Sequence, residues 1–180
     1  AVLSLPNGLA AQMVPALLER GVRVVDLSAD YRYRSLRQWQ DVYAAEAQEW
    51  QRHDSLLCEQ AVYGLPEWDA DRISKARLVA APGCFPTASL LGLLPFLHQG
   101  LIETSGIVID AKTGTSGGGR AAKEHLLLAE ASEAVSPYGV VGHRHTSEIE
   151  QLAGQAAGHP VQLQFTPHLM PMVRGLLATV

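Results

Sequence analysis

Basic residues are few and never cluster. The 180 residues carry 14 lysines and arginines against 18 aspartates and glutamates, a net charge of −4. That balance removes the electrostatic case for a nucleic-acid partner. Long apolar runs are missing too. The longest, Ala88–Leu97, is too short to cross a bilayer and contains Pro95, so no membrane partner is expected. No charged leader precedes a signal-like core, and no export signal is read. Cysteine is down to Cys58 and Cys84, with no CxxC spacing. Two free thiols in a reducing cytoplasm are the simpler reading, with one disulfide between them as the alternative.

What is present suits a globular protein with a core: 47% of the residues are hydrophobic and 18% charged. The first residues, "AVLSLP", enter a strand without a methionine, and the last, "PMVRGLLATV", stop inside an apolar run. Domains rarely begin and end in mid-strand, so the chain reads as a piece of a longer protein.

The pattern alternates strands and helices. Val2–Leu5 reads as a strand, Pro6-Asn7-Gly8 as a turn, and Ala10–Arg20 as a helix. Met13, Val14, Leu17 and Leu18 share one face of that helix, and Gly21 ends it. Residues 22–27, "VRVVDL", read as a second strand, too continuously apolar for a sheet edge. Strand, helix and strand in so few residues predict a parallel α/β unit. Residues 35–57 read as helical. Residues 61–76 read as a loop with a turn at Gly64-Leu65-Pro66 and a short helix near Asp69–Lys75. Further strands are read at 77–82, 106–113 and 161–169. Further helices are read at Thr87–His98, at Arg120–Ala131 and from Thr146, with "GTSGGG" as a flexible loop.

Cys84 stands where chemistry is expected. Pro82-Gly83 turns the chain after a buried strand, and Pro86 suits a first helical turn because its missing N–H would have no partner there. Cys84 thus falls at or just before a helix N-terminus, where unpaired N–H groups and the macrodipole favour a thiolate nucleophile. A core cysteine in a tight turn is the alternative; Cys58 has no such setting and reads as structural. A thiolate needs an acid–base partner. Of the seven histidines, His53, His98, His125 and His159 sit in polar or helical surroundings and read as exposed. His143 and His145, in "HRH", point to one face if that segment is extended. No third ligand follows at a zinc-like spacing, so a general acid–base role fits better than a metal, and no metal is assigned. The glycine-rich 112–120, "KTGTSGGGR", lies between a strand and a helix, with Lys112 and Arg120 at its ends. It reads either as an anion site or as a plain turn. It is neither GxGxxG nor a P-loop. His168 and Arg174 fall on a Pro-punctuated strand; Arg174 suits a carboxylate, a phosphate or a surface salt bridge.

Taken in order, "SLPNGLA", "DLSADYR", "AVYGLPE", "PGCFPTASLLGLLP", "DAKTGTSGGGR", "HRHTSEIEQ" and "FTPHLMPMVRGLLATV" resemble the N-acetyl-gamma-glutamyl-phosphate reductase family across essentially the whole chain. The resemblance implies an α/β fold. Residues 1–83 would be the later part of a Rossmann-like, parallel-sheet NADP-binding domain. Residues 84–180 would be the start of an α+β catalytic and dimerisation domain. It implies that Cys84 attacks an acyl phosphate and expels phosphate, and that hydride from NADPH reduces the thioester to the semialdehyde of arginine biosynthesis. A histidine, His143 first and His145 second, would protonate the oxygen that develops charge. Arg120, Arg144 and Arg174 are candidates for the phosphoryl group and the substrate carboxylate. Pro6, Asn7, Ser116 and Gly117 are candidates for NADP contact. The partner implied is a small-molecule acyl phosphate, in a cytoplasmic homo-oligomer at full length. Three departures stand out. The family's opening strand and Gly-rich pyrophosphate turn are not in this chain, the family continues beyond the "ATV" stretch with a C-terminal helix that returns to the cofactor domain, and Asn7 stands where many members have histidine. The 180 residues alone are therefore expected neither to bind NADP nor to turn over. Three rivals remain: a sibling such as aspartate-semialdehyde dehydrogenase, a cofactor-free cysteine hydrolase, and a non-catalytic fragment.

Overall fold

Runs of two or three apolar residues make strands only where a neighbouring strand takes up their hydrogen bonds. The computed structural model describes residues 1–43, 54–119 and 121–180, and they divide into two units, Ala1–Gly83 and Cys84–Val180. In the first unit β1 (Val2–Leu3), β2 (Val24–Asp26), β3 (Val62–Tyr63) and β4 (Leu78–Ala80) form a sheet in the order β1-β2-β4-β3. Every pairing is parallel. The interior place of β2 agrees with its apolar run. Strand β3 lies in what reads as a loop: two residues carry no periodicity, and the strand exists because β4 pairs with it.

Helix α1 (Leu9–Glu19) covers the sheet with Ala10, Ala11 and Val14, while Met13 is exposed. The sequence stripe placed Met13 inward. The helix lies close to the sheet, so small side chains face it and the larger methionine turns out. Ala10, Ala11 and Val14 join Leu3, Val24, Leu78 and Ala80 in one core, with Tyr31 and Cys58. Helix α2 (Leu36–Tyr43) packs Trp39 and Tyr43 against Ala29 and Tyr33. The long helix read over 35–57 falls partly outside the described residues, as does His53. Helix α3 (Ser55–Gln60) follows. Helix α4 (Pro66–Lys75) starts three residues before the expected Asp69, because Pro66 is suited to the first helical position. The backbone breaks at Asp69 (φ −143°, ψ 49°), where the sequence reading began the helix.

The second unit opens with α5 (Cys84–His98) and continues with β5 (Ile107–Thr113). Two 3-10 turns (Thr115–Gly118 and Glu124–Leu126) and α6 (Leu128–Ala131) replace the single helix expected from Arg120 to Ala131. Lys123 is extended (φ −137°, ψ 136°), and the side chains at 121–125 are exposed, so no buried face sustains a longer helix. Then come β6 (Ser136–Pro137), α7 (Arg144–Ala157), β7 (Leu163–Leu169) and β8 (Leu176–Thr179). The sheet order is β6-β7-β5-β8, with β5 and β7 parallel and both outer strands antiparallel to their neighbours. Pro137 is tolerated because β6 is an edge. Leu90, Leu93 and Leu94 of α5 and Ile149 and Leu152 of α7 are buried, as are Ile109 and Phe165 on the sheet. Arg174 lies in the bend between β7 and β8 rather than on a strand.

The glycine-rich segment is a held turn, not a flexible loop. Gly114 donates its N–H to the Gly175 carbonyl, Thr115 to Met172 and Ser116 to Val173 (2.9–3.0 Å). A Cβ on Gly114 would meet the Val173 and Arg174 backbone at 2.8 Å, and one on Gly117 would meet Thr113 Oγ1 at 2.5 Å. Three backbone donors offered to an anion on the sequence reading are therefore engaged within the chain.

Candidate active site

Cys84 is the first residue of α5 and is exposed. The turn at Pro82-Gly83 delivers it there, and the next two residues, Phe85 and Pro86, are buried and seat the helix. The thiol stands at the positive end of that helix, in a first turn to which Pro86 contributes no N–H. Cys58, the chain's other thiol, is buried in the first unit. The two are free thiols, not a disulfide.

His143 and His145 come together by a route different from the one the sequence suggests. His143 alone is extended (φ −117°, ψ 135°), and it caps α7. Its Nδ1 accepts the backbone N–H of His145 at 3.1 Å. His145 is already in the first helical turn, one residue after Arg144; the sequence started that helix at Thr146. The two rings sit 4.9 Å apart, centroid to centroid. Phe85 meets both edge-on at 6.1 Å, Phe165 meets His143 at 5.2 Å, and Tyr138 meets it at 5.7 Å. Among these rings burial pushes the His143 imidazole down to about 4, and the Arg144 charge pushes the same way. Tyr138 is pushed up to about 12 by burial first and by the neighbouring Cys84 second, against a smaller opposing effect of Arg144. Its hydroxyl keeps its proton at neutral pH and is a donor.

The His143 shift has a thermodynamic consequence. The unfolded ring takes up a proton below its ordinary 6.5, and the folded ring does so only near 4. Stability therefore falls as pH drops through that window and is fully present above it. The charged and titratable groups lining the same cavity are Cys84, Lys123, His125, Tyr138, Arg144 and His145. Urea midpoints between pH 7 and 4 are expected to fall less steeply in His143→Asn. An unchanged slope would show that this ring does not titrate as its surroundings dictate.

A cavity of about 390 Å³ gathers these side chains. Of the residues singled out from the sequence, Cys84, Gly117, His143, Arg144 and His145 line it. Ser116 and Arg174 do not; Arg174 is exposed on the bend that clamps the glycine turn. Arg120 lies outside the described residues. Tyr138, Lys123 and His125 line the cavity and were not singled out as site residues. Tyr138 stands just ahead of "HRH", but only the pairing of β6 with β7 brings it to the cavity wall. Lys123 and Arg144 make the wall cationic, which suits a phosphorylated or carboxylated ligand.

In the first unit, Pro6 and Asn7 belong to the turn between β1 and α1. The buried Asp30 carboxylate accepts the N–H of Gly8 (2.7 Å) and of Ala11 (3.0 Å), and Asn7 Oδ1 accepts the N–H of Ala29 (3.1 Å). "LPNG" and "DLSAD" therefore hold one another. Gly8, at φ 90°, is in the left-handed region the turn requires. Among the described residues no group of three or more His, Cys, Asp or Glu is arranged to hold a metal ion, and no helix is long and apolar enough to cross a membrane.

The chain is similar to known proteins along its full length. The family profile described as semialdehyde dehydrogenase, NAD binding domain, matches residues 1–76; the one described as semialdehyde dehydrogenase, dimerisation domain, matches residues 84–180. N-acetyl-gamma-glutamyl-phosphate reductase of Parasynechococcus marenigrum (strain WH8102) is 76% identical over 180 residues, which is 100% of this chain and 50% of that protein. The protein of the same name from Prochlorococcus marinus (strain MIT 9313) is 74% identical with the same coverage. The chain thus spans about half the length of the curated relatives it matches. Among solved structures, aspartate semialdehyde dehydrogenase II from Vibrio cholerae aligns with a TM-score of 0.62 at 16% identity, over 98% of this chain and 52% of that one. Aspartate semialdehyde dehydrogenase with NADP from Candida albicans aligns with a TM-score of 0.56 at 10% identity, over 97% and 48%. At such identities these two likenesses speak for the fold alone.

Proposed function

Because this chain belongs to the semialdehyde dehydrogenase family, we propose that the full-length protein reduces N-acetyl-glutamyl 5-phosphate to N-acetyl-glutamate 5-semialdehyde, with release of phosphate, in arginine biosynthesis. The observation that carries the reading is one cavity lined by an exposed helix-initial thiol, two histidines and two cationic side chains. It occurs in a chain 76% identical to a protein of the reductase name.

The Cys84 thiolate attacks the acyl carbonyl carbon. A C–S bond forms, the C–O bond to phosphate breaks, and phosphate leaves with the electron pair and takes a proton from solvent. NADPH, when bound, supplies a hydride to the thioester carbonyl. The resulting thiohemiacetal oxyanion re-forms its carbonyl and expels the Cys84 thiolate, so the nucleophile is regenerated. His143, with His145 beside it, faces the oxygen that develops charge at each stage. Arg144 and Lys123 hold the phosphoryl group or the substrate carboxylate; Arg174 and Arg120 are further candidates for the same anionic groups. Tyr138 donates from its protonated hydroxyl.

The residues present fit NADP in kind. The carboxyl ends of β1, β2 and β4 in an all-parallel sheet carry the "LPNG" turn and the loops after Asp26 and Ala80, the side on which such sheets bind dinucleotides. Pro6 and Asn7 of that turn are the first unit's candidates to hold it. Residues 1–83 then serve the cofactor and residues 84–180 the acyl chemistry. The profile described as a dimerisation domain supports a homo-oligomer, and the proposed biosynthetic role places the protein in the cytoplasm. Relatives at 63–76% identity all carry the reductase name, which favours this reading over an aspartyl-phosphate reductase.

The test is a phosphate burst. Full-length protein mixed with N-acetyl-glutamyl phosphate and no NADPH is expected to release phosphate equal to its sites, and the Cys84 peptide gains the acyl mass. No burst would sink the reading. Continuous release would mean a hydrolase, and a larger burst with aspartyl phosphate would mean the sibling reductase.

A further inference from the structure

We infer that His143 is locked by the first turn of α7 as a neutral Nε2–H tautomer, and that it serves the acyl oxygen as a hydrogen-bond donor rather than as a base toward Cys84 or as an imidazolium acid. This rests on the acyl-transfer reading of the cavity, which it refines.

The geometry fixes where the proton is. Nδ1 of His143 accepts the His145 N–H at 3.1 Å, so Nδ1 carries no proton of its own. In a neutral imidazole the proton then sits on Nε2, the ring's only donor. Helix caps of this kind are normally Ser, Thr, Asp or Asn. His143 does here what an asparagine would, with Nδ1 in place of the amide oxygen. The ring is confined as well. A Cβ on Gly139 would come within 3.0 Å of its Cδ2, and Phe85, Phe165, Tyr138 and His145 surround it.

Forming the imidazolium would require a proton on Nδ1. That breaks the cap and sets a second positive charge beside Arg144 among aromatic rings. The downward shift of this group agrees with that account. A ring held this way has no acceptor left for the Cys84 proton. Nor does a neutral imidazole readily give up its last proton.

The reaction does not ask it to. The reduction takes up one proton overall, and the departing phosphate receives it from solvent. Each oxyanion on carbon collapses by re-forming a carbonyl, first expelling phosphate and then expelling thiolate, and neither collapse needs a proton on that oxygen. What the oxygen needs is a fixed donor, which is what Nε2–H supplies.

Two measurements on the full-length protein test this. In protein labelled with ¹⁵N-histidine, the His143 ring, assigned by its loss in His143→Asn, is expected at pH 7 to show a protonated Nε2 and a bare Nδ1. No titration is expected between pH 6 and 8. A proton on Nδ1, or an imidazolium near neutrality, overturns the inference while leaving the phosphate burst, and the reading it tests, untouched. The second measurement separates the two ring nitrogens. His143→Asn keeps an acceptor where Nδ1 was and has no donor where Nε2 was. It is expected to melt like the parent yet reduce substrate roughly 10²–10³-fold more slowly. His143→Gln places an amide donor near the Nε2 position and loses the cap. It is expected to melt lower, to stay within about tenfold of the parent rate, and to keep the parent's pH profile. Faster reduction by His143→Asn than by His143→Gln overturns the inference.

Discussion

Full-length protein carrying Cys84→Ser is expected to form no acyl-enzyme and to reduce its acyl phosphate at least roughly 10⁴-fold more slowly, the scale on which losing a covalent nucleophile is felt. The substitution changes one atom. At neutral pH a serine oxygen stays protonated, and His143, as its cap bond fixes it, offers no base to activate it. The fold is not at risk: Cys84 is exposed at a helix start, where serine is well tolerated. The rate loss should therefore appear with an unchanged melting curve. Cys58→Ser is the opposite control, since that side chain is buried in the first unit, so stability moves and the rate does not. Retention of a tenth of the parent rate by Cys84→Ser would end the thioester mechanism.

The second large effect is on stability. Asp30→Ala removes the acceptor of two N–H groups, those of Gly8 and Ala11, at a site with no exposure. Hydrogen bonds to a charged partner are individually among the stronger ones, and buried donors left without acceptors add a desolvation cost, so a loss of about 3 kcal/mol is expected. Asp30→Asn keeps one acceptor oxygen and should lose less. All three tryptophans of this chain, Trp39, Trp50 and Trp68, precede Cys84, so their fluorescence follows the first unit during urea unfolding. An Asp30→Ala midpoint equal to the parent's would show that water replaces the carboxylate without cost. A lower midpoint with faster amide exchange at Gly8 and Ala11 would place the effect where the bonds are.

Cys84 was legible because its signals are local. Two prolines and a glycine set the turn and helix start, and Pro86 is buried in the first turn of α5. The β–α–β alternation of the first unit was legible for a similar reason, since strand and helix periods differ within a few residues. The histidine pair was legible as a pair but not in its geometry. Residue spacing does not say that one histidine caps the helix containing the other. Lys123, His125 and Tyr138 were missed because their arrival at the cavity depends on where the chain runs after the glycine turn and on the pairing of β6 with β7. Met13 went wrong because periodicity reports a helix face but not how far that face lies from its neighbour; Ala10 and Ala11 fill the close approach. In the glycine-rich turn, composition reports conformational freedom and says nothing of which carbonyls take its N–H groups.

That turn bears on how such a protein would decay. At Gly114 the obstacle to a side chain is backbone, the Val173 and Arg174 peptide at 2.8 Å, and at Gly117 it is the buried Thr113 hydroxyl. Neither obstacle involves a reacting atom. A lineage that no longer needed the reaction would be free to drift at Cys84, an exposed residue on which little packing depends, while Gly114 stayed in place because the bend against it could not close around anything larger. An intact glycine signature therefore certifies ancestry and architecture. On the proposed thioester reading, the position to inspect for retained activity lies thirty residues before that turn, at Cys84.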